Sequence, residues 1–223
     1  ADRLAFVPHG APTRDRSTCE RNSNDYRRAT KRAAFGAELA NKRVLLSFGL
    51  LHRHKRVIDV VRAMPEILRV FPDAALVLLG ETNPGASIGD DPHEQLRREA
   101  AKLDLPPDSF VLLTRHVNES ALQRAIEAAD VVVVPSADYT PVSGVLTYAI
   151  ALGVPVLATD FAYARELFAT IAADAVRGER TVGALACIQD PQSLARSAIE
   201  LLADQRLARA ACERAATNRR FSW

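Results

Sequence analysis

From Arg43 onward the chain alternates between two apolar patterns. Short runs are apolar at nearly every position: RVLLSFG (43–49), AALVLLG (74–80), FVLLTRH (110–116), VVVVPS (131–136), VPVLAT (154–159) and GALACI (183–188). Between them the apolar residues recur every three or four positions, as in KRVIDVVRAMPEILRVF (55–71), HEQLRREAAKLDL (93–105), ESALQRAIEAAD (119–130) and YARELFA (163–169). The final stretch, PQSLARSAIELLADQRLARAACERAAT (191–217), reads as one or two helices. Continuous apolar runs are strands buried on both faces, and the longer period belongs to amphipathic helices. Their alternation predicts an α/β fold, a Rossmann-like doubly wound parallel sheet with strands near 43–49, 74–80, 110–116, 131–135, 154–158 and 183–188. Pro65 predicts a kink in its helix or the start of a second segment.

Right-handed crossovers place every strand-to-helix loop on one edge of such a sheet. Ligands bind at that edge. The loops are 50–54, 81–92, 115–118, 136–143 and 160–162, and basic, histidine and hydroxyl residues concentrate in them.

The first 42 residues read differently. LAFVPHG (4–10) has the pattern of a short strand ending in a glycine turn. Residues 11–43 carry nine basic side chains against four acidic ones and few large apolar residues. NDYRRATKRAAFGAEL has a thin apolar stripe, so a linker with one solvated helix is the expectation, with a phosphate or partner surface as the alternative. Two units follow: 1–42, the end of a preceding domain plus linker, and 43–223, a second domain. The chain starts without Met and stops within a pattern, and is read as an excerpt of a longer protein. Residues 1–42 are then expected to pack less well than the rest.

A formal net charge of +2 gives no whole-molecule attraction to nucleic acid. No apolar run reaches the roughly 18 residues of a membrane span, and the N-terminus lacks the layout of a signal peptide. Cys19, Cys187 and Cys212 are scattered, which points to reduced thiols and a cytoplasmic setting.

Two loops carry candidate chemistry. GLLHRHKR (49–56) follows a strand and opens a helix with His52, Arg53, His54, Lys55 and Arg56. Positive charge opposes the helix dipole there unless an anion is bound. A phosphate held by helix amides and Lys55 removes the conflict; a solvated basic loop fits the spacing equally well. His52 and His54 have no obvious carboxylate beside them and make a poor metal site, so neither metal nor cofactor is expected.

In YTPVSGVLTYAIALG (139–153), Ser143 is a suitable N-cap and Gly144 admits close approach to the backbone. The amides of Gly144, Val145 and Leu146 would form a neutral anion cradle. Tyr148, one turn beyond Gly144, lines the same pocket, and Thr140 adds a hydroxyl at the rim. The same residues also describe a well-capped buried helix. The glycine signatures of dinucleotide and P-loop sites are missing, as is a nucleophile elbow. Asp130 reads as a helix-end or strand-start residue, and Glu166 as helix surface at the functional edge.

LLSFGLLHRHKRVIDVVRAMPEILRVFPDAALVLLG, AIEAADVVVVPS and SGVLTYAIALGVPVLATD, in this order, resemble the C-terminal half of retaining glycosyltransferases of family four, which have the GT-B fold. The likeness runs from about Arg43 to Trp223. It implies one Rossmann-like half of a two-domain enzyme, binding a nucleoside diphosphate sugar as donor substrate without a metal. VPHG and RFSW resemble the segments that join this half to the N-terminal domain, which supplies most acceptor contacts. By the resemblance, Lys55 matches the lysine that grips the diphosphate, while the partner arginine is Leu50 here. The two glutamates that normally touch sugar and ribose correspond to Thr140 and Tyr148. His116 and Val117 match the backbone that contacts the base, with Arg115 in place of a glycine. The Ser-Gly-x-Leu-x-Tyr-Ala helix and Gly-Leu-Leu loop resemble one branch of the family.

The reading is a donor-binding half that transfers a sugar, with retention, to an unknown acceptor. The other reading is a non-catalytic nucleotide or sugar-phosphate binding module derived from such an enzyme. A response-regulator-like domain lacks its acidic pocket. The fragment is expected to bind donor without turnover.

Overall fold

The computed structural model of the chain describes residues 24–51, 55–81, 91–114, 117–137, 142–174 and 183–204. Helix α1 (Asn24–Phe35) leads through a short 3-10 turn into β1 (Arg43–Phe48). Then follow α2 (Val57–Val70), β2 (Ala74–Leu79), α3 (Pro92–Lys102), β3 (Phe110–Leu113), α4 (Glu119–Ala128) and β4 (Val131–Val134). The remainder is α5 (Gly144–Ala151), β5 (Val156–Thr159), α6 (Ala162–Asp174), β6 (Gly183–Ala186) and α7 (Pro191–Ala203). The strands pair in the order β3-β2-β1-β4-β5-β6, and all pairings are parallel. This is the doubly wound Rossmann-like α/β fold that the apolar pattern predicts.

Alternate residues of each strand face opposite layers. Val44, Leu46 and Phe48 of β1 join the core under α1, α4, α5 and α6. Leu45, with Leu76 and Val131, joins the core under α2, α3 and α7. Burial on both faces is why these strands read as unbroken apolar runs. Their ends come earlier than predicted at Gly49 and Gly80, whose positive φ angles turn the chain out of the sheet. The start of β5 comes two residues late, because Pro155 has no amide for the ladder.

Two expectations need correction. α2 continues through Pro65, so no second segment begins there. Burial of Val57, Val60, Val61, Met64 and Ile67 holds it together across the missing hydrogen bond. The solvated helix expected before Arg43 is instead part of the fold. Phe35 and Leu39 enter the core shared with α4, and Lys31 is buried. Its ammonium lies 2.6 Å from Asp130 Oδ2 and donates to the Lys42 carbonyl at 2.6 Å. An ionic anchor of this kind leaves no trace in apolar periodicity. Asp130, wholly buried, also accepts the Val44 amide at 2.7 Å, so it joins α1, β1 and the start of β4.

The expected strand at 4–10, the end of the last helix and the closing RFSW lie outside the described residues.

Candidate functional site

The strand order reverses between β1 and β4. The connections leaving these strands diverge, and the crevice between them is where open doubly wound sheets take ligands. Here the two connections are stitched together. Lys55 and Ser136 form an isolated antiparallel bridge, and the Arg56 amide donates to the Pro135 carbonyl at 2.6 Å. The Thr159 hydroxyl, from the end of β5, donates to the Ser136 carbonyl at 2.5 Å. The backbone of Lys55 is therefore held from two strands.

Its side chain is half-buried and donates to the Phe48 carbonyl at 2.9 Å. Desolvation lowers the ammonium's pKa from 10.5 to about 8. Room for it comes from Gly49, at φ +94; a Cβ there would lie 2.8 Å from Lys55 Nζ and 3.9 Å from Val145 Cγ2. The ammonium and the Val145 side chain, in the first turn of α5, thus both lie against Gly49. Gly80 closes the wall behind, since its Cβ would come within 2.3 Å of the Gly49 carbonyl oxygen.

Ser143 caps α5 by accepting the Leu146 amide at 3.3 Å. This corrects the expected cradle of three amides. Leu146 is taken by the cap, leaving Gly144 and Val145 as the first-turn amides without a partner among the described residues. Among the described residues, a Cβ at Gly144 would meet nothing within 4 Å. A partly desolvated cation therefore lies close to the first turn of a helix, whose dipole carries about half an elementary positive charge at that end. An anion between them would neutralise both.

The other candidates fall into three groups. Tyr148 and Val145 are partly buried against the core, so Tyr148 forms wall one turn beyond Gly144. Val117 also packs on that core, which leaves its backbone as the part able to meet a ligand. His116 and Thr140, with His52, Arg53, His54 and Arg115, lie outside the described residues. Arg56 is engaged by Asp59 at 2.6 and 3.2 Å, which leaves Lys55, among the described residues of that stretch, as the cation beside Gly49. Leu50 and Val142, each 49% exposed, give the connections an apolar rim.

Reading the sequence missed Gly49, Thr147, Thr159 and Tyr163. Gly49 had a signal, a glycine closing an apolar strand; the other three matter through contacts between distant segments. Gly49→Ala should displace Lys55 and strain the turn by about 1–3 kcal/mol. A thermal melt and a nucleotide titration of the variant would check both effects, and parent-like binding would show that Lys55 needs no such room.

Among the described residues no group of three or more His, Cys, Asp or Glu could hold a metal ion. No described helix is long and apolar enough to cross a membrane.

Residues 42–204 match the sequence profile of the Glycosyl transferases group 1 family. YtcC of Bacillus subtilis (strain 168), provisionally named a glycosyltransferase, is 30% identical over 133 residues. That match takes in 60% of this chain and 31% of YtcC. The crystal structure of Anabaena Alr3699/HepE in complex with UDP and glucose superposes with a TM-score of 0.70 at 21% identity. The superposition covers 88% of this chain and 48% of HepE. A C-terminal domain of a glycosyl transferase group 1 family protein (LpcC) from Francisella tularensis gives a TM-score of 0.62 at 20% identity, covering 78% of this chain and 82% of that one. The chain thus spans about a third of YtcC and half of HepE. With its profile matched over most of its length and its fold shared with these GT-B glycosyltransferases, the chain belongs to the Glycosyl transferases group 1 family.

Proposed function

We propose that this chain is the donor-binding half of a retaining glycosyltransferase, holding the diphosphate of a nucleotide sugar between Lys55 and the first turn of α5. One observation carries the reading: the desolvated Lys55 ammonium and the Val145 side chain, in the first turn of α5, both lie against Gly49 at the strand-order reversal. In this reading Lys55 and the amides stabilise charge developing on the leaving diphosphate, so no metal is required. With Leu50 where the resemblance expects an arginine, Lys55 is the main point charge among the described residues. Residues 43–204 form the donor domain with α1 docked on it, and a preceding domain supplies the acceptor wall. UDP is the first nucleotide to test, because HepE is seen with UDP and glucose.

The test uses proton linkage. Free Lys55, with a pKa of about 8, is losing its proton above that pH. A diphosphate beside it favours the ammonium and raises the pKa again. Binding of UDP, ADP or GDP should therefore take up a proton between about pH 8 and 10, and affinity should fall as pH rises through that range. Calorimetry in buffers of different ionisation enthalpy measures this uptake. Failure of all three nucleotides to bind would overturn the reading. The second reading, a binding module without transfer, is favoured by Thr140 and Tyr148 where the resemblance expects glutamates. Binding of the matching nucleotide sugar without release of diphosphate, even after the acceptor half is supplied, would select it.

A further inference from the structure

We propose that Tyr163 is a positioning residue for the nucleotide-binding turn, acting through Thr147; this rests on the site proposed above. Helix α5 is buried over most of its surface, yet Thr147 at its centre is wholly buried. A buried hydroxyl is costly unless both its donor and acceptor capacities find partners. Thr147 Oγ1 donates to the Ser143 carbonyl at 3.2 Å. With its proton so placed, its oxygen accepts from the Tyr163 hydroxyl, 2.9 Å away. The Thr147 amide also donates to the Ser143 carbonyl, at 3.1 Å.

A directional chain results, from Tyr163 to Thr147 to Ser143. It crosses between two helix starts, because Tyr163 is the second residue of α6 and is itself buried. Its far end is the residue whose side chain caps α5 and whose peptide leads into Gly144. Rotation of the Ser143 peptide would swing the Gly144 amide away from its place in the proposed site. The covalent spacing along α5 fixes the helix, but the tilt of this peptide is set by what its carbonyl accepts. Tyr163, twenty residues further along the sequence than Ser143, thereby ties the binding turn to the β5–α6 connection.

The experiment compares Tyr163→Phe, which keeps the buried ring, with Thr147→Val and Thr147→Ser in the full chain. Two quantities are read: the Kd of whichever of UDP, ADP and GDP the parent binds best, and amide hydrogen exchange at Leu146 and Thr147, the hydrogen-bonded amides of this turn, without ligand. Tyr163→Phe and Thr147→Val should each weaken binding by about three- to tenfold, the effect of one net hydrogen bond. They should also speed exchange in that turn while protection in β1 and β4 stays at the parent level. Thr147→Ser, which restores the hydroxyl, should return both quantities towards the parent, and the double variant Tyr163→Phe/Thr147→Val should be no worse than Thr147→Val alone. Parent-like exchange in Tyr163→Phe, or loosening spread evenly over the sheet, would overturn the proposal. If the parent binds none of the nucleotides, the proposed function fails, and the exchange data alone still decide whether Tyr163 orders this turn.

Discussion

Lys55→Ala should weaken nucleoside diphosphate binding by about 1.5–3 kcal/mol, the range for hydrogen bonds to charged groups. The free protein should respond in the opposite direction. The folded-state pKa of Lys55 is depressed by desolvation, from 10.5 to about 8. At neutral pH the buried ammonium therefore costs the fold stability, and that cost is relieved as pH rises from about 8 towards 10.5. Lys55→Met, which keeps the packed stem and removes the charge, should melt at the parent temperature or higher near pH 7 while binding as poorly as Lys55→Ala. Stability given up for binding is the mark of a residue retained for its ligand. The measurements are paired calorimetric titrations and thermal melts at pH 7. Equal affinity of parent and variants would remove Lys55 from the site.

Asp130→Ala should lower folding stability by about 3–5 kcal/mol, the cost of breaking a buried ion pair by removing one partner. The carboxylate is fully buried, pairs with Lys31 and accepts the Val44 amide. Its loss leaves a buried cation and a backbone donor without that acceptor. With a net stability on the order of 5–15 kcal/mol, the variant would keep little margin. Replacing both partners together, as Lys31→Met/Asp130→Leu, should recover much of the loss, because an apolar pair leaves no stranded charge. Chemical denaturation of the three proteins gives the comparison. A change below about 1 kcal/mol in Asp130→Ala would show that α1 is held by its apolar contacts alone. The same residues bear on function at a distance: α1 precedes β1, whose far end carries Gly49 and the Lys55 connection.

The two readings of function part at the positions where the resemblance expects carboxylates. Tyr148 packs as wall beside the first turn of α5, a role compatible with stacking or with a hydroxyl contact, but not with anchoring a ribose by charge. Under the proposed function, transfer would depend on orientation by an acceptor half, since holding reactants in near-attack geometry supplies a large part of the barrier reduction.

Apolar patterning was sufficient to place every described strand after Arg43 and every described helix there except α5, because burial on two faces or on one stripe writes its period directly into the residues; α5, apolar nearly all round, has no such stripe. The parallel sheet follows from that pattern and from the crossover rule. Lys55, Ser143 and Gly144 were legible for a related reason: a cation at a helix start, a hydroxyl cap and a glycine are local features of strand-to-helix turns. The order of the strands was not legible, since every run is apolar and none names its neighbour. Only the fold shows that β1 and β4 adjoin, which brings Lys55 close to α5 and leaves the Leu146 amide to the cap. The Lys31–Asp130 anchor, the place found for Pro65 and the Tyr163–Thr147 pair were hidden for the same cause. Each depends on contacts between segments distant in sequence, where burial changes what a charge, a missing amide or a hydroxyl costs, and a linear pattern carries no measure of that cost.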